Sequence, residues 1–192
     1  MAALMVVVAT SCGDSNNGNE DPKPEPEKQY VLIYRALVAK DLFKIANAEL
    51  TVTNPVTNKT ETIAVNESMD NRSDADCKYD YAAVSAALTS SFMDPNDFVF
   101  YYYKVKGVKA QMAYSGKLKV TLDDAKIAAI DQTQKITYSL PALQVSCVST
   151  DGNYLDIPSL MVNKATSSIE RAVKAFADGK EATADGTITI KK

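Results

Sequence analysis

The chain has 192 residues, 46% of them hydrophobic, with 24 acidic residues against 21 basic ones and a formal net charge of −3. That is enough for one domain with a sizeable core, and the lysines are too scattered to form a cationic stripe for nucleic acid. No histidine is present, which excludes Ser-His-Asp and Cys-His nucleophilic mechanisms and removes the commonest ligand for zinc, copper or non-haem iron.

Residues Ala2 to Ala9 read as the apolar core of a signal peptide, and Ala9-Thr10-Ser11 leads directly into Cys12. No apolar run reaches the roughly 18 to 20 residues that cross a bilayer, so no transmembrane helix is expected. Small residues ending in a cysteine resemble the lipobox of bacterial lipoproteins. That resemblance implies that residues 1–11 are cleaved off, that the Cys12 thiol receives a diacylglycerol and that the new amino terminus is acylated. The membrane is then a partner through a lipid anchor at Cys12. No Lys or Arg precedes Cys12 to form the positive n-region, so the true start is expected upstream of Met1.

Residues 12–28 form the lipidated cysteine and a tether. Gly13 to Lys28 carries no aliphatic or aromatic residue and can bury nothing to offset the entropy of ordering. Pro22, Pro24 and Pro26 favour extended polyproline II at about 3 Å per residue, giving a reach of roughly 50 Å. The acidic residues Asp14, Glu20 and Asp21 are similar to those on lipoproteins of the Bacteroidetes that are moved to the outside of the outer membrane.

From residue 29 to 192 the pattern is that of a single β domain. Tyr30 to Val38 is nearly all apolar and reads as a central strand. Leu50 and Val52 alternate with Glu49, Thr51 and Thr53, and Ile63 and Val65 continue beyond a turn at Asn54 to Asn58, which makes a hairpin. The stretch Val31 to Glu67, with Lys40-Asp41-Leu42-Phe43 between its strands and Thr60-Glu61-Thr62-Ile63 after the polar turn, resembles the opening of uncharacterised immunoglobulin-like lipoproteins of the Bacteroidetes. That resemblance implies a fold and a cell-envelope address.

Met69 to Asp76 concentrates oxygen ligands of the kind calcium takes, but its spacing departs from an EF-hand loop and Arg72 sits among the carboxylates, so it reads as a solvated connection and no metal is expected. Cys77 and Cys147 are the two thiols left after lipidation, and an exported protein meets oxidising conditions. Placed on one strand face with Tyr79 and Tyr81, Cys77 reads as a core residue, as does Cys147 in register with Leu143 and Val145. The pair is either a disulfide, which across a loop of about 70 residues would stabilise by roughly 4 kcal/mol, or two buried thiols. Tyr81 to Ser91 fits a strand or a short helix. Asp94 to Asp97 reads as turn chemistry.

Phe98 to Lys106 reads as a strand. Its Tyr101 and Tyr103 share a face with Val99 and Val105, either as core or as glycan-contact residues whose rings stack on a sugar. Leu118, Val120 and Leu122 alternate with Lys117, Lys119 and Thr121, and Asp123-Asp124 begins a turn or short helix. Ile136, Tyr138 and Leu140, then Leu143, Val145 and Cys147, form two more alternating sets before a turn at Asp151-Gly152-Asn153. A helix follows, with Ser167 as N-cap, Glu170 completing a capping box and Gly179 as terminator. Ile169, Ala172, Val173, Phe176 and Ala177 give it one apolar stripe. Thr187 to Lys191 is the last strand.

The predicted fold is mainly β: an Ig-like antiparallel β-sandwich of seven to nine strands with one helix near the C-terminus. The expected function is that of a lipid-anchored cell-envelope protein at the outer membrane, on its periplasmic or surface face, acting as a binding or structural module. No catalytic residue, cofactor or nucleic-acid partner is expected. The alternatives are a glycan-binding accessory protein of a surface uptake system and a subunit of a surface fibre or complex, with a glycan or a protein as partner.

Overall fold

The structure is a computed structural model that describes residues 29–109, 113–149, 154–156, 162–176 and 180–190. Cys12 and the tether lie outside them, as do the turn at 151–153, Ala177 and Gly179. The protein is mainly β, with antiparallel sheets. Sheet A has the order β4 (Phe98–Lys109), β1 (Gln29–Ala39), β7 (Ala142–Ser149), β8 (Tyr154–Asp156). Sheet B has the order β10 (Glu181–Thr189), β5 (Ala113–Leu122), β2 (Ala46–Asn54), β3 (Lys59–Val65). A small sheet pairs β6 (Lys135–Ser139) with β9 (Lys164–Ser168).

The inner face of sheet B follows strict alternation. Ala48, Leu50 and Val52 of β2 and Leu118, Val120 and Leu122 of β5 are buried, while Glu49, Thr53 and Lys117 between them are exposed. Opposite them, β1 contributes Leu32, Tyr34 and Ala36, and β7 contributes Leu143, Val145 and Cys147 in register with those three. Gly116 and Gly186 stand side by side on β5 and β10 and let the sheets approach closely. A Cβ at Gly116 would lie 2.9 Å from the Tyr34 ring, and one at Gly186 would lie 2.9 Å from Val145 Cγ2. Any side chain there forces the sheets apart.

Sheet A is covered on its other face as well, which is why β1 is buried along almost its whole length. That cover is α1 (Lys78–Ser90), with Asp80, Val84 and Leu88 turned inward at i, i+4 and i+8. The alanine-rich stretch Ala82 to Leu88 therefore resolves as helix, in keeping with the high helix propensity of alanine and leucine. The expectation of one helix near the C-terminus is corrected: among the described residues the longest helix is mid-chain, and two short ones follow, α2 (Asp124–Ala129) and α3 (Ile169–Lys174). Asp123 caps α2 by accepting from the Ala125 and Lys126 amides. The cap of α3 is Ser168, one residue later than expected, which accepts from the Arg171 amide. Ile169, Ala172 and Phe176 are buried as its stripe requires.

Two further corrections have local causes. Leu140 is 58% exposed, because β6 ends at Ser139, ahead of Pro141, which has no amide to donate to a ladder, and Ser139 takes the buried position instead. The last strand begins at Glu181, six residues before the expected Thr187, because its alanines and threonines give only a weak apolar alternation.

Candidate functional site

The acidic loop is a clasp on the edge of β4. Among the described residues strand β4 pairs only with β1, so one row of its backbone donors and acceptors points away from the sheet. Asn71 meets that row twice with its side chain, Nδ2 donating to the Tyr102 carbonyl at 3.0 Å and Oδ1 accepting from the Tyr102 amide at 2.8 Å. Its backbone amide donates to the Phe100 carbonyl at 3.1 Å. The Phe100 amide reaches Asp70 Oδ2 at 3.3 Å, and Arg72 Nη2 donates to the Phe98 carbonyl. An exposed strand edge is a template for unwanted pairing, and here it is closed in the manner of a short extra strand.

The same contacts account for every carboxylate of the loop. Asp70 accepts from Arg72 Nε at 2.8 Å and Nη2 at 2.5 Å. The Arg72 guanidinium in turn lies 4.5 Å from the Phe100 ring centroid and 5.3 Å from that of Tyr81. Asp74 and Asp76 each accept from Lys104 Nζ at 3.3 Å. The oxygens that suggested calcium are engaged by cations of the chain itself. Burial alone would raise the Asp70 carboxyl. The bonds from the Arg72 side chain and amide and from the Phe100 amide outweigh it and hold the group below the usual carboxylate range.

Beneath α1, a buried polar row crosses sheet A. Arg35 stands in register with Tyr102 on one side and Gln144 on the other. Arg35 is 2% exposed and Asp80, facing it from α1, is 0% exposed. Arg35 Nη1 donates to Asp80 Oδ2, which neutralises two charges that neither layer could bury alone. Burial, followed by the Asp80 charge, pushes the Tyr102 phenol far up. Arg35, Asp80 and Tyr102 are buried and Gln144 is half-buried, so the row joins α1 to the sheet.

Cys77 and Cys147 are both free and buried, the second of the two alternatives. Cys147 faces the core between the sheets, in register with Leu32. Cys77 ends the 3-10 turn Ala75–Cys77 that leads into α1, on the opposite side of sheet A. The helical period also separates Cys77 from Tyr79, which is 71% exposed. Burial pushes each thiol up to about 11.

Tyr101 and Tyr103 are half-buried on the face of β4 turned toward sheet B, flanked by the buried Val99 and Val105. The Tyr103 ring packs against Tyr34 with centroids 6.2 Å apart, and its hydroxyl donates to Glu61 of β3 at 2.9 Å. The pair closes one side of the space between the sheets, so its rings meet the core before they meet solvent.

A concave site that the sequence did not reveal lies at the C-terminal end of α1. A cavity of about 470 Å³ is lined there by Ala87, Leu88, Ser91, Phe92, Met93 and residues 162–164. The helix ends in a Schellman turn, with the Met93 amide donating to the Leu88 carbonyl at 2.9 Å and the Phe92 amide to the Thr89 carbonyl at 3.0 Å. Lys164 of the lining donates from Nζ to Asp97 Oδ2 at 2.6 Å. The turn chemistry of Asp94 to Asp97 forms the 3-10 turn that places Asp97, with the Asn96 amide donating to Asp94 Oδ1 at 2.8 Å.

Comparison with protein-family models, with curated proteins and with solved structures yields no match to this chain.

Proposed function

We propose that this chain is a lipid-anchored protein of the bacterial cell envelope, attached through Cys12, whose domain is an immunoglobulin-like β-sandwich acting as a binding or structural module. The observation that carries the reading is the order of features along the chain: an apolar leader ending at Cys12, a tether from Gly13 to Lys28 with nothing to bury, and then an antiparallel, mainly β domain. A tether of that composition separates the anchor from the fold, so the domain works at a distance from the bilayer. Two four-stranded sheets sharing one core support the sandwich assignment. The buried polar groups support a non-enzymatic role, because Arg35, Asp80, Cys77 and Cys147 are all spent inside the packing.

Cys12→Ser tests the reading in cells fractionated into membrane and soluble pools. The wild-type chain is expected in the membrane pool and the variant in the soluble pool with an unchanged Tm. A variant that stays with the membrane, or a wild-type chain that is soluble, contradicts the anchor.

A further inference from the structure

Phe92 is held in a costly way. It occupies the position after α1 where a Schellman turn favours glycine, at φ 57°, a backbone conformation that bulky side chains rarely adopt. Its ring is also 98% exposed, so no packing within the described residues offsets the strain. Strain of this kind persists at sites where the side chain has a use in that place. The use is indicated by what lies beside it, the cavity of about 470 Å³ at whose rim the ring stands, a volume in the range of small-molecule sites.

The walls describe the ligand. Leu88, Met93 and Val162 make part of the lining apolar, while Ser91 and Asn163 bring a hydroxyl and an amide that both donate and accept. Lys164 adds a charged donor, whose Nζ is held by Asp97 at 2.6 Å. An apolar ligand would leave these groups without water or partner, and a lone anion would find Lys164 already paired with Asp97. A pyranose matches both halves, because its C–H face is apolar and its rim carries hydroxyls that donate and accept.

We propose that this cavity is a carbohydrate site in which a sugar ring stacks on Phe92 and its hydroxyls bond to Asn163, Ser91 and Lys164. The proposal rests on the binding-module reading of the domain and is independent of the anchor at Cys12. It moves glycan contact away from Tyr101 and Tyr103, whose rings pack against the core.

The test is native affinity electrophoresis of the full chain, extracted in mild detergent, through gels containing starch, laminarin, xylan or mucin. Retardation is expected in at least one gel. Phe92→Gly should weaken that affinity at least ten-fold while raising Tm by about 2 to 4 °C, since glycine relieves the strain. Phe92→Trp should keep the retardation, and Asn163→Ala should weaken it with Tm unchanged. Migration unaffected by all four polysaccharides overturns the proposal, as does a Phe92→Gly chain that is retarded like the wild type. A Phe92→Gly chain with a lowered Tm overturns the strain argument beneath it. Cell fractionation of Cys12→Ser reads the anchor separately, so the two readings fail by different results.

Discussion

The outer face of sheet B and the outer face of sheet A are built on opposite principles. On sheet B, Asn47, Glu49 and Thr53 of β2 and Lys117 of β5 face water, with Lys119 bridging Glu49 at 3.6 Å and Glu181 at 3.8 Å. These ions are solvated and screened, so they contribute little beyond keeping the face wet. On sheet A the corresponding face lies under α1, and its fully buried charge, Arg35, is matched by Asp80. The same residue chemistry is dispensable on one face and indispensable on the other, because what differs is whether water is available as the alternative partner.

Asp80→Ala should break the comparison most severely. It strands the Arg35 charge in the core, and a loss of about 3 to 5 kcal/mol in urea denaturation is expected. Replacing both partners, Arg35→Met with Asp80→Leu, should recover most of that loss or exceed the wild type, since a buried pair seldom surpasses good apolar packing. Next in size is Asn71→Ala, which leaves the Tyr102 amide and carbonyl at the β4 edge unpaired. It should cost about 1 to 3 kcal/mol and promote concentration-dependent association visible by light scattering. Lys119→Ala on the wet face should change stability by no more than about 0.5 kcal/mol.

Acid sharpens the same contrast. The folded-state pKa of Asp70 is depressed, so its contribution is present above the unfolded value and is lost as pH falls through the folded one. Stability of the wild type should therefore fall on the acid side of about pH 4, and Asp70→Asn should flatten that part of the profile. Thiol titration gives a last check. Cys77 and Cys147, pushed up to about 11 by burial, should resist alkylation in the native state at neutral pH and react when the chain is unfolded in guanidinium.

The two faces also differ in how far they were legible. Sheet B alternates at Leu118, Val120 and Leu122, and one wet face is all that a period of two needs to show itself. β1 reads as a central strand for the complementary reason, an almost unbroken apolar run. Arg35 inside that run signals a buried partner, but Asp80 is 45 residues away in sequence, and no local pattern names it. The Asp70–Arg72 clasp looked like solvated turn chemistry because its hydrogen bonds go to backbone atoms of another strand, which leave no mark on the side-chain pattern. Cys77 is buried as expected, but its expected face rests on the wrong period: Cys77, Tyr79 and Tyr81 share a face only if the segment is extended, and it is helical from Lys78. Phe92 carried no sequence signal, since its meaning depends on the handedness of a single turn.

The most direct test of the proposed function is the mass of the N-terminal peptide of the protein recovered from cell membranes. The anchored reading predicts a peptide that begins at Cys12 and carries a diacylglycerol on sulfur, with a further acyl chain on the amino group. A peptide that retains the residues preceding Cys12, with an unmodified thiol at that position, would contradict it.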